Sequence, residues 1–348
     1  MSTLLDFQGA THRYGTDDHG LICAFLFCPG QPPQALDSLA QVREQLGALQ
    51  TEKGGERFVW LHLNLSHAGA LAGLQSLVHL SDSFHEAQQQ GSRSSRIERD
   101  GERLFAVLND VTFDFDFDVN DVSTLWVSVE RHLVVSARRQ PLRSVDRLRM
   151  AVRRGEPLAS GTALLDHLLR DQADELQRIV RQATERVDEI EDALLAGRHS
   201  GHEGEVASLR RLMVRLQRLL APEPSALLRM LSSPPAWVRA EDVQHLRQAS
   251  EEFALVLRDI AALQERMRVI QDETEARVAQ ENNRSLYVLT MVTVLALPIN
   301  LVSGLFGMNV GGVPFSAHPH GFVAMLALIV LLTVLVALTL MRLLRPPR

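Results

Sequence analysis

The stretch LYVLTMVTVLALPINLVSGLF, residues 286–306, decides the fold of this chain because all 21 of its residues are uncharged and most are apolar. A second uncharged stretch of the same length, GFVAMLALIVLLTVLVALTLM, follows at 321–341. As a helix, each would be about 31 Å long, which matches the hydrocarbon core of a bilayer. Both are predicted to be transmembrane helices. The alternative, two buried helices of a soluble domain, would normally show a polar edge.

Charges around the two spans predict their orientation. Arg284 precedes the first span and three arginines follow the second, whereas the connecting loop at 307–320 contains no lysine or arginine. Because positive residues accumulate on the cytoplasmic side of membrane proteins, both termini are expected in the cytoplasm and the loop outside. The N-terminal residues show neither a basic start nor a long apolar run, so no signal peptide is predicted.

The charge of the chain is unevenly distributed. The formal net charge is −6, and because the three arginines beyond residue 285 contribute +3, residues 1–285 carry −9. An acidic body suits a protein that handles cations, and no nucleic-acid partner is expected. The sequence contains no GxGxxG after a strand, no GxxxxGK[ST] and no HExxH, so an enzyme is not predicted either.

Residues 1–160 are predicted to form a cytosolic α/β domain, with helices near 35–50 and 66–90. Cys23 and Cys28 share one apolar stretch and should point to opposite faces of a strand, which excludes a disulfide or a common metal site. The predicted strands cover 21–28, 57–64, 103–110, 111–119, 124–130 and 132–137.

The stretch VTFDFDFDV at 111–119 alternates phenylalanine with aspartate. As a strand, it would place three aromatic rings on one face and the carboxylates of Asp114, Asp116 and Asp118 on the other. These carboxylates are candidate ligands of a cation. The alternative is a solvated outer face that discourages edge-to-edge aggregation.

Residues 161–285 are predicted to be a helical hairpin followed by a long stalk helix, and 286–348 a transmembrane domain. No proline or glycine interrupts the chain from Glu241 until Pro298, so stalk and first span are expected to form one helix. An apolar seam with strict 3-4 spacing predicts coiled-coil-like packing and offers a surface on which copies of the chain could assemble. The seam comprises Phe253, Val256, Ile260, Leu263, Met267, Ile270 and Thr274.

The first span carries a polar stripe. Thr290, Thr293 and Asn300 fall within an arc of about 80°, with Leu297 and Gly304 on the same face. An uncovered asparagine in hydrocarbon is costly, so the stripe should face water or partner helices. Packing between helices and the lining of a pore both account for it. Two spans cannot enclose a channel, so transport would require a homo-oligomer with the first span around the axis.

The loop after the first span begins with the glycine-rich run GLFGMNVGGVPF at 304–315. Repeated around an axis, the amide of Asn309 would form a ring of neutral dipoles that can hold a cation through its first shell of water. His318 and His320 in the same loop are weaker candidate metal ligands, and solvated loop residues are the alternative.

The GMN sequence of Gly307, Met308 and Asn309, at the end of a proline-containing span, resembles the signature of the CorA family of divalent-cation transporters. The continuation to Gly311, Gly312 and Pro314 resembles the ZntB-type branch, which transports zinc. That branch often has valine where this chain has Met308, the residue of the magnesium type. The family pattern also matches Tyr287, Met291, Pro298, Gly304 and Phe306.

The resemblance implies an α+β chain assembled as a funnel-shaped homopentamer in the lipid of a bacterial inner membrane. It implies a pore lined by the first span, with the GMN residues at its outer mouth. Leu297, an apolar residue on the face of the stripe, is a candidate constriction of such a pore. The transported ion would be Zn²⁺, and no resident cofactor is implied. The alternatives are a Mg²⁺/Co²⁺ channel, a protein that exports Zn²⁺, and a membrane-anchored scaffold that transports no ion. Proton coupling would need His318, His320 or cytosolic groups, because the first span has no titratable side chain near neutral pH.

Overall fold

The computed structural model describes residues 20–51, 56–78, 84, 86–88, 95–197, 201–308, 314 and 319–343. Its internal contacts divide the chain into an N-terminal unit, Met1–Ile270, and a C-terminal unit, Gln271–Arg348. The boundary falls inside a long helix. The three-part division at residues 160 and 285 stays a prediction.

Seven strands of the described chain form one mixed sheet in the N-terminal unit, in the order β2-β1-β3-β7-β6-β5-β4. β3 and β7 are parallel and the other neighbours are antiparallel. Helices cover both faces, so the central strands are buried along nearly their whole length. The strands are β1 Leu21–Phe27, β2 Gln34–Ala35, β3 Phe58–Asn64, β4 Arg96–Asp100, β5 Arg103–Val111, β6 Val122–Val129 and β7 Leu133–Arg138.

Long helices make up most of the remainder. The Ser160 side chain caps α4 by accepting from the backbone N–H of Ala163, and Gly197 follows the helix with a positive φ of 78°. The single helix predicted from about residue 241 to 306 is confirmed as α7. The helices are α1 Leu39–Thr51, α2 Ala70–Leu77, α3 Arg143–Arg153, α4 Gly161–Leu195, α5 Glu203–Leu220, α6 Pro222–Leu231, α7 Ala240–Phe306 and α8 Gly321–Leu343.

The two faces of the sheet carry separate apolar cores. On one face β-strand side chains pack with α1 and α2, and on the other with α3, α6 and the N-terminal parts of α4 and α7. Cys23 is buried in the second core and Cys28 packs against the first, which confirms their opposite orientation; both are free thiols.

A third core joins α4, α5 and α7 beyond the edge of the sheet. The predicted seam from Phe253 to Ile270 is buried here, so its helix-packing role is confirmed. Its predicted use as an assembly surface is wrong, because the seam packs against α4 and α5 of the same chain. The periodicity shows that an apolar face is covered but carries no information about which helices cover it.

The aspartate–phenylalanine stretch is a loop, not the predicted strand. Residues 112–121 connect β5 to β6 without strand pairing beyond an isolated bridge at Thr112, and Phe117 has a positive φ of 59°. Phe115 is buried against the third core whereas Phe113 is exposed, so the rings do not share a face. Arg143 explains the difference, because it donates to the carbonyl oxygens of Phe113 and Phe115, each at 3.0 Å, in place of a neighbouring strand.

Candidate functional site

The polar stripe of α7 is exposed along its whole length within the chain. Thr290, Thr293, Asn300 and Gly304 are all exposed, and Leu297 is 66% exposed. The hydroxyls of Thr290 and Thr293 donate to the carbonyl oxygens of the preceding turn, at 2.8 and 2.9 Å. Because those protons are used inside the helix, the outward side of each hydroxyl presents acceptor lone pairs. Such a stripe suits a cation or its water shell.

The opposite side of the same span is the side covered within the chain. Met291 and Pro298 are half-buried and Val302 is buried. At 100° per residue, this covered face is centred about 140° from the centre of the stripe. Packing inside one chain therefore does not explain the stripe.

Both apolar helices are long and apolar enough to cross a membrane. Only 6% of the most apolar window of α7, and 0% of that of α8, is buried inside the chain. A core helix of a soluble protein would be mostly buried. This exposure is incompatible with the alternative of a buried helical hairpin.

The face of the stripe continues toward the N-terminus of α7 with the same 3-4 spacing. We call the whole face the extended stripe. Hydropathy does not identify these positions because the apolar run begins only at Leu286, although the 3-4 spacing itself continues through them. The added residues, all exposed, are Asp272, Glu275, Ala279, Asn282, Asn283 and Leu286.

Between residues 271 and 306, positive charge is kept off this face. The two arginines between residues 271 and 306, Arg277 and Arg284, lie roughly opposite the extended stripe by helical position. Arg277 forms an ion pair with Glu273 on that far side. Within residues 271–308, Asp272 and Glu275 take part in no ion pair. Each chain thus presents two carboxylates on the stripe side that have no ion-pair partner among the described residues; Arg268, one turn before Asp272, pairs with Glu265.

The GMN motif begins at the end of α7. The backbone N–H of Gly307 donates to the carbonyl oxygen of Ser303 at 2.9 Å, and a Cβ at Gly307 would lie 2.9 Å from that same oxygen. A larger residue would have to displace the end of the helix. Met308 is 53% exposed, and Pro314 and His320 are exposed. Asn309, Gly311, Gly312 and His318 lie outside the described residues.

The aspartates of the 112–121 loop are not gathered into a metal site. Asp114, Asp116 and Asp118 are exposed, and Asp118 accepts from the backbone N–H of Asn120 at 2.7 Å. Asp121 accepts from the backbone N–H of Asp116 at 2.9 Å. These carboxylates shape the loop. In the described part of the chain, no three His, Cys, Asp or Glu side chains are placed to hold a metal ion.

The chain combines a sheet-containing unit with a helix of 67 residues that ends in the first of two exposed apolar spans, and this first span carries a polar stripe. These are the features of a membrane transport protein. Residues 55–342 match the family model described as CorA-like Mg²⁺ transporter protein. Because this match covers most of the chain, the protein belongs to the CorA family, whose members are transporters and not enzymes.

Individual relatives agree with this assignment. The chain is 26% identical over 283 residues to the zinc transport protein ZntB of Yersinia enterocolitica, covering 81% of this chain and 86% of that protein. It is 25% identical over 269 residues to the divalent cation transporter CmaX of Pseudomonas aeruginosa, covering 77% and 81%. The structure of full-length CmaX superimposes with a TM-score of 0.77 at 24% identity, over 94% of this chain and 99% of that one, and shows the common fold.

Proposed function

We propose that this protein carries hydrated divalent cations, with Zn²⁺ as the principal ion, across the bacterial inner membrane. The observation that supports this most directly is the extended stripe. It carries polar and acidic side chains, lacks arginine, and lies opposite the face of α7 that is covered within the chain. Lipid is a poor environment for Asn300, so the stripe requires water and further copies of the same helix.

The proposed assembly is a homopentamer with α7 of each subunit around a central axis and α8 toward the lipid. The number five comes from the family resemblance. The arginines flanking the spans support cytoplasmic termini and an external loop. This orientation places Asn309 at the outer mouth and the two carboxylates of the extended stripe at the inner end.

A cation would keep its water along this path. Residues 286–306 contain no His, Cys, Asp or Glu, the ligands that a dehydrated Zn²⁺ prefers. They offer amide and hydroxyl oxygens at Asn300, Thr293 and Thr290, which bind the water shell of a hydrated ion. Leu297 lies between them and is proposed as an apolar constriction. Asp272 and Glu275 would then draw the ion into an acidic vestibule.

The choice of Zn²⁺ is supported by the glycine-rich continuation of the GMN motif and by the name of the ZntB relative. Inward transport is proposed, with His318 and His320 as the external groups that could capture zinc or couple a proton. A Mg²⁺/Co²⁺ channel is the second candidate. It is favoured by Met308, the residue of the magnesium type, and by the description of the family model.

Purified protein in liposomes tests this function. Influx of Zn²⁺ and of Mg²⁺ should be measured separately and in competition, with Zn²⁺ expected to be faster and to inhibit Mg²⁺ entry. Asn300→Ala should reduce flux several-fold. Ser303→Ala should not, because Ser303 is an exposed polar position about 100° from the centre of the stripe around α7. Liposomes that admit neither ion would refute transport. Equal flux in the two variants would remove the stripe from the path.

A further inference from the structure

Glu223 is a buried carboxyl group that neither the sheet nor the extended stripe explains. It is the second residue of α6 and only 2% exposed. Among the described residues, neither of its carboxylate oxygens has a hydrogen-bond partner. A carboxylate near a helix N-terminus commonly accepts from backbone N–H groups of the first turn, and this one does not. An ionised carboxylate is strongly disfavoured in such surroundings, whereas a protonated carboxyl is not.

The groups around Glu223 are already engaged with one another. The Ser95 hydroxyl accepts from the backbone N–H of Asn109 at 3.1 Å and from its side-chain amide at 3.3 Å. Gln172 donates to the Asn109 carbonyl oxygen at 2.6 Å. Ser95 and Gln172 lie close enough to Glu223 to lower its pKa, against the effect of burial, but neither completes a hydrogen bond of normal geometry. The Ser95 hydroxyl and the second N–H of the Gln172 amide are not used in these hydrogen bonds, so both can donate to a carboxylate.

A second buried carboxyl group, Asp110, lies in the same cluster. It accepts from the backbone N–H and the hydroxyl of Ser144 at 3.0 and 2.5 Å, and from the backbone N–H of Val111 at 2.8 Å. Burial raises the pKa of Asp110 to about 6, against these hydrogen bonds, and the charge of Glu175 on α4 raises it further. Burial raises the pKa of Glu223 to about 8, and the charge of Asp110 adds to the rise.

Several of the elements packed around Glu223 contribute an identified group. β5 contributes Asp110 and Asn109, the segment before β4 contributes Ser95, and α4 contributes Gln172, with Glu175 about one turn further on. Arg143, Arg147 and Arg178 all pair with Glu175. On α7, Ser250 donates to the carbonyl oxygen of Pro224 at 3.3 Å, next to Glu223. Asp110 is therefore the charged neighbour that acts on Glu223.

We propose that Glu223 is a proton-binding site through which cytoplasmic pH regulates transport. In the protonated form it is neutral and fits the buried cluster as the structure shows it. When the Glu223 carboxyl releases its proton to bulk water, the resulting carboxylate accepts hydrogen bonds from the Ser95 hydroxyl and the Gln172 amide. It also repels the carboxylate of Asp110. The contacts of α6 with β5, α4 and α7 then change, and α7 is the helix that carries the extended stripe. This inference rests on the proposed function and orientation.

The test is cation flux into liposomes holding full-length protein, with the pH on the cytoplasmic side set between about 6.5 and 8.5. The protonated fraction of a group with a pKa of about 8 falls about fourfold over this range. Wild-type flux should change about fourfold with it. Glu223→Gln, a neutral mimic of the protonated form, should keep the wild-type flux of the lower pH throughout. Glu241→Gln, an exposed position in the first turn of α7, is the matched control and should follow wild type.

Infrared difference spectroscopy separates the proton site from its effect on transport. Wild type should show the carbonyl band of a buried carboxylic acid at neutral pH that disappears near pH 8, and Glu223→Gln should lack it. Absence of that band in wild type would overturn the proton site. A band together with identical pH profiles of flux in wild type and Glu223→Gln would overturn the regulation while leaving transport intact. Wild-type liposomes without flux at any pH would overturn the proposed function, and the band would still decide the proton site.

Discussion

Glu273 and Glu275 are two residues apart on α7 but lie on opposite sides of the helix. Glu273 forms an ion pair with Arg277, whereas Glu275 lies on the extended stripe and takes part in no ion pair among the described residues. Two chemically identical side chains on one exposed stretch of helix thus differ only in the direction they face and in their partner. They provide a matched pair for testing whether the stripe side conducts cations.

Glu275→Gln should reduce cation flux and Glu273→Gln should not. Removing a ring of carboxylates lowers the local concentration of cations, and we expect a loss of roughly tenfold at low ionic strength. The effect should shrink in high salt, because screening weakens exposed charges. Flux into liposomes at two salt concentrations measures both features. Equal losses in the two variants would show that the side of the helix is irrelevant.

Leu297→Ala should increase flux. A 66% exposed leucine between Thr293 and Asn300 narrows the proposed path and repels water, so a smaller side chain should ease hydration. Val292→Ala is the control, because Val292 is 61% exposed but lies about 120° from the centre of the stripe. The measurement is the initial rate of Zn²⁺ entry. An unchanged rate in Leu297→Ala would place the constriction elsewhere.

Arg143→Ala should destabilise the N-terminal unit by about 3 kcal/mol, because it leaves part of the charge of a buried carboxylate uncompensated. Arg143 lies 2.5 Å from fully buried Glu175 and also donates to two carbonyl oxygens of the 112–121 loop. Arg147 lies 2.7 Å from Glu175 but is 40% exposed, so Arg147→Ala should cost about 1 kcal/mol. Denaturant unfolding followed by tryptophan fluorescence gives both values. A larger loss in Arg147→Ala would contradict this order.

His167 should make stability depend on pH near neutrality. Its Nδ1 lies 3.0 Å from Asp171 and its Nε2 3.2 Å from Glu156. Asp171 raises the pKa of His167, burial opposes the rise, and Glu156 adds to it. The folded state therefore binds the proton more tightly than the unfolded state. The stabilisation is complete below the ordinary histidine pKa of about 6.5 and is lost as pH rises through the raised value.

His167→Gln removes this titration and should flatten the fall in stability above about pH 6.5. His245→Gln is a suitable control because His245 is exposed on α7. Unfolding midpoints should be compared at several pH values in the two variants and in wild type. Parallel pH profiles in wild type and His167→Gln would show that the group contributes nothing.

Local patterns predicted the long helix α7 and failed for the aspartate–phenylalanine stretch. Alternation of Phe and Asp is a strand pattern, but strand formation needs a partner for the backbone, and Arg143 takes the carbonyl oxygens of Phe113 and Phe115. Arg143 is distant in sequence from both, so no window of local sequence contains the competition. The long-range hydrogen bonds of Arg143 to these two carbonyl oxygens explain why residues 112–121 form a loop.

The buried polar cluster around Glu223 and Asp110 could not be predicted from the sequence either. Glu223 stands in a short proline-flanked segment, where a glutamate would ordinarily be a solvated residue of a first helical turn. Its burial depends on β5, α4 and the segment before β4 meeting at one point. The charges on the extended stripe, in contrast, could have been found by continuing the 3-4 spacing past the end of the apolar run.

The sequence by itself determined the two apolar spans, the continuous helix α7 and the stripe, because length, hydropathy and helical period are properties of consecutive residues. Tertiary structure decided that the seam from Phe253 to Ile270 is covered by α4 and α5 of the same chain, and that the stripe is left uncovered. Periodicity identifies a face, but only the packing of distant elements determines which face is buried and which remains exposed.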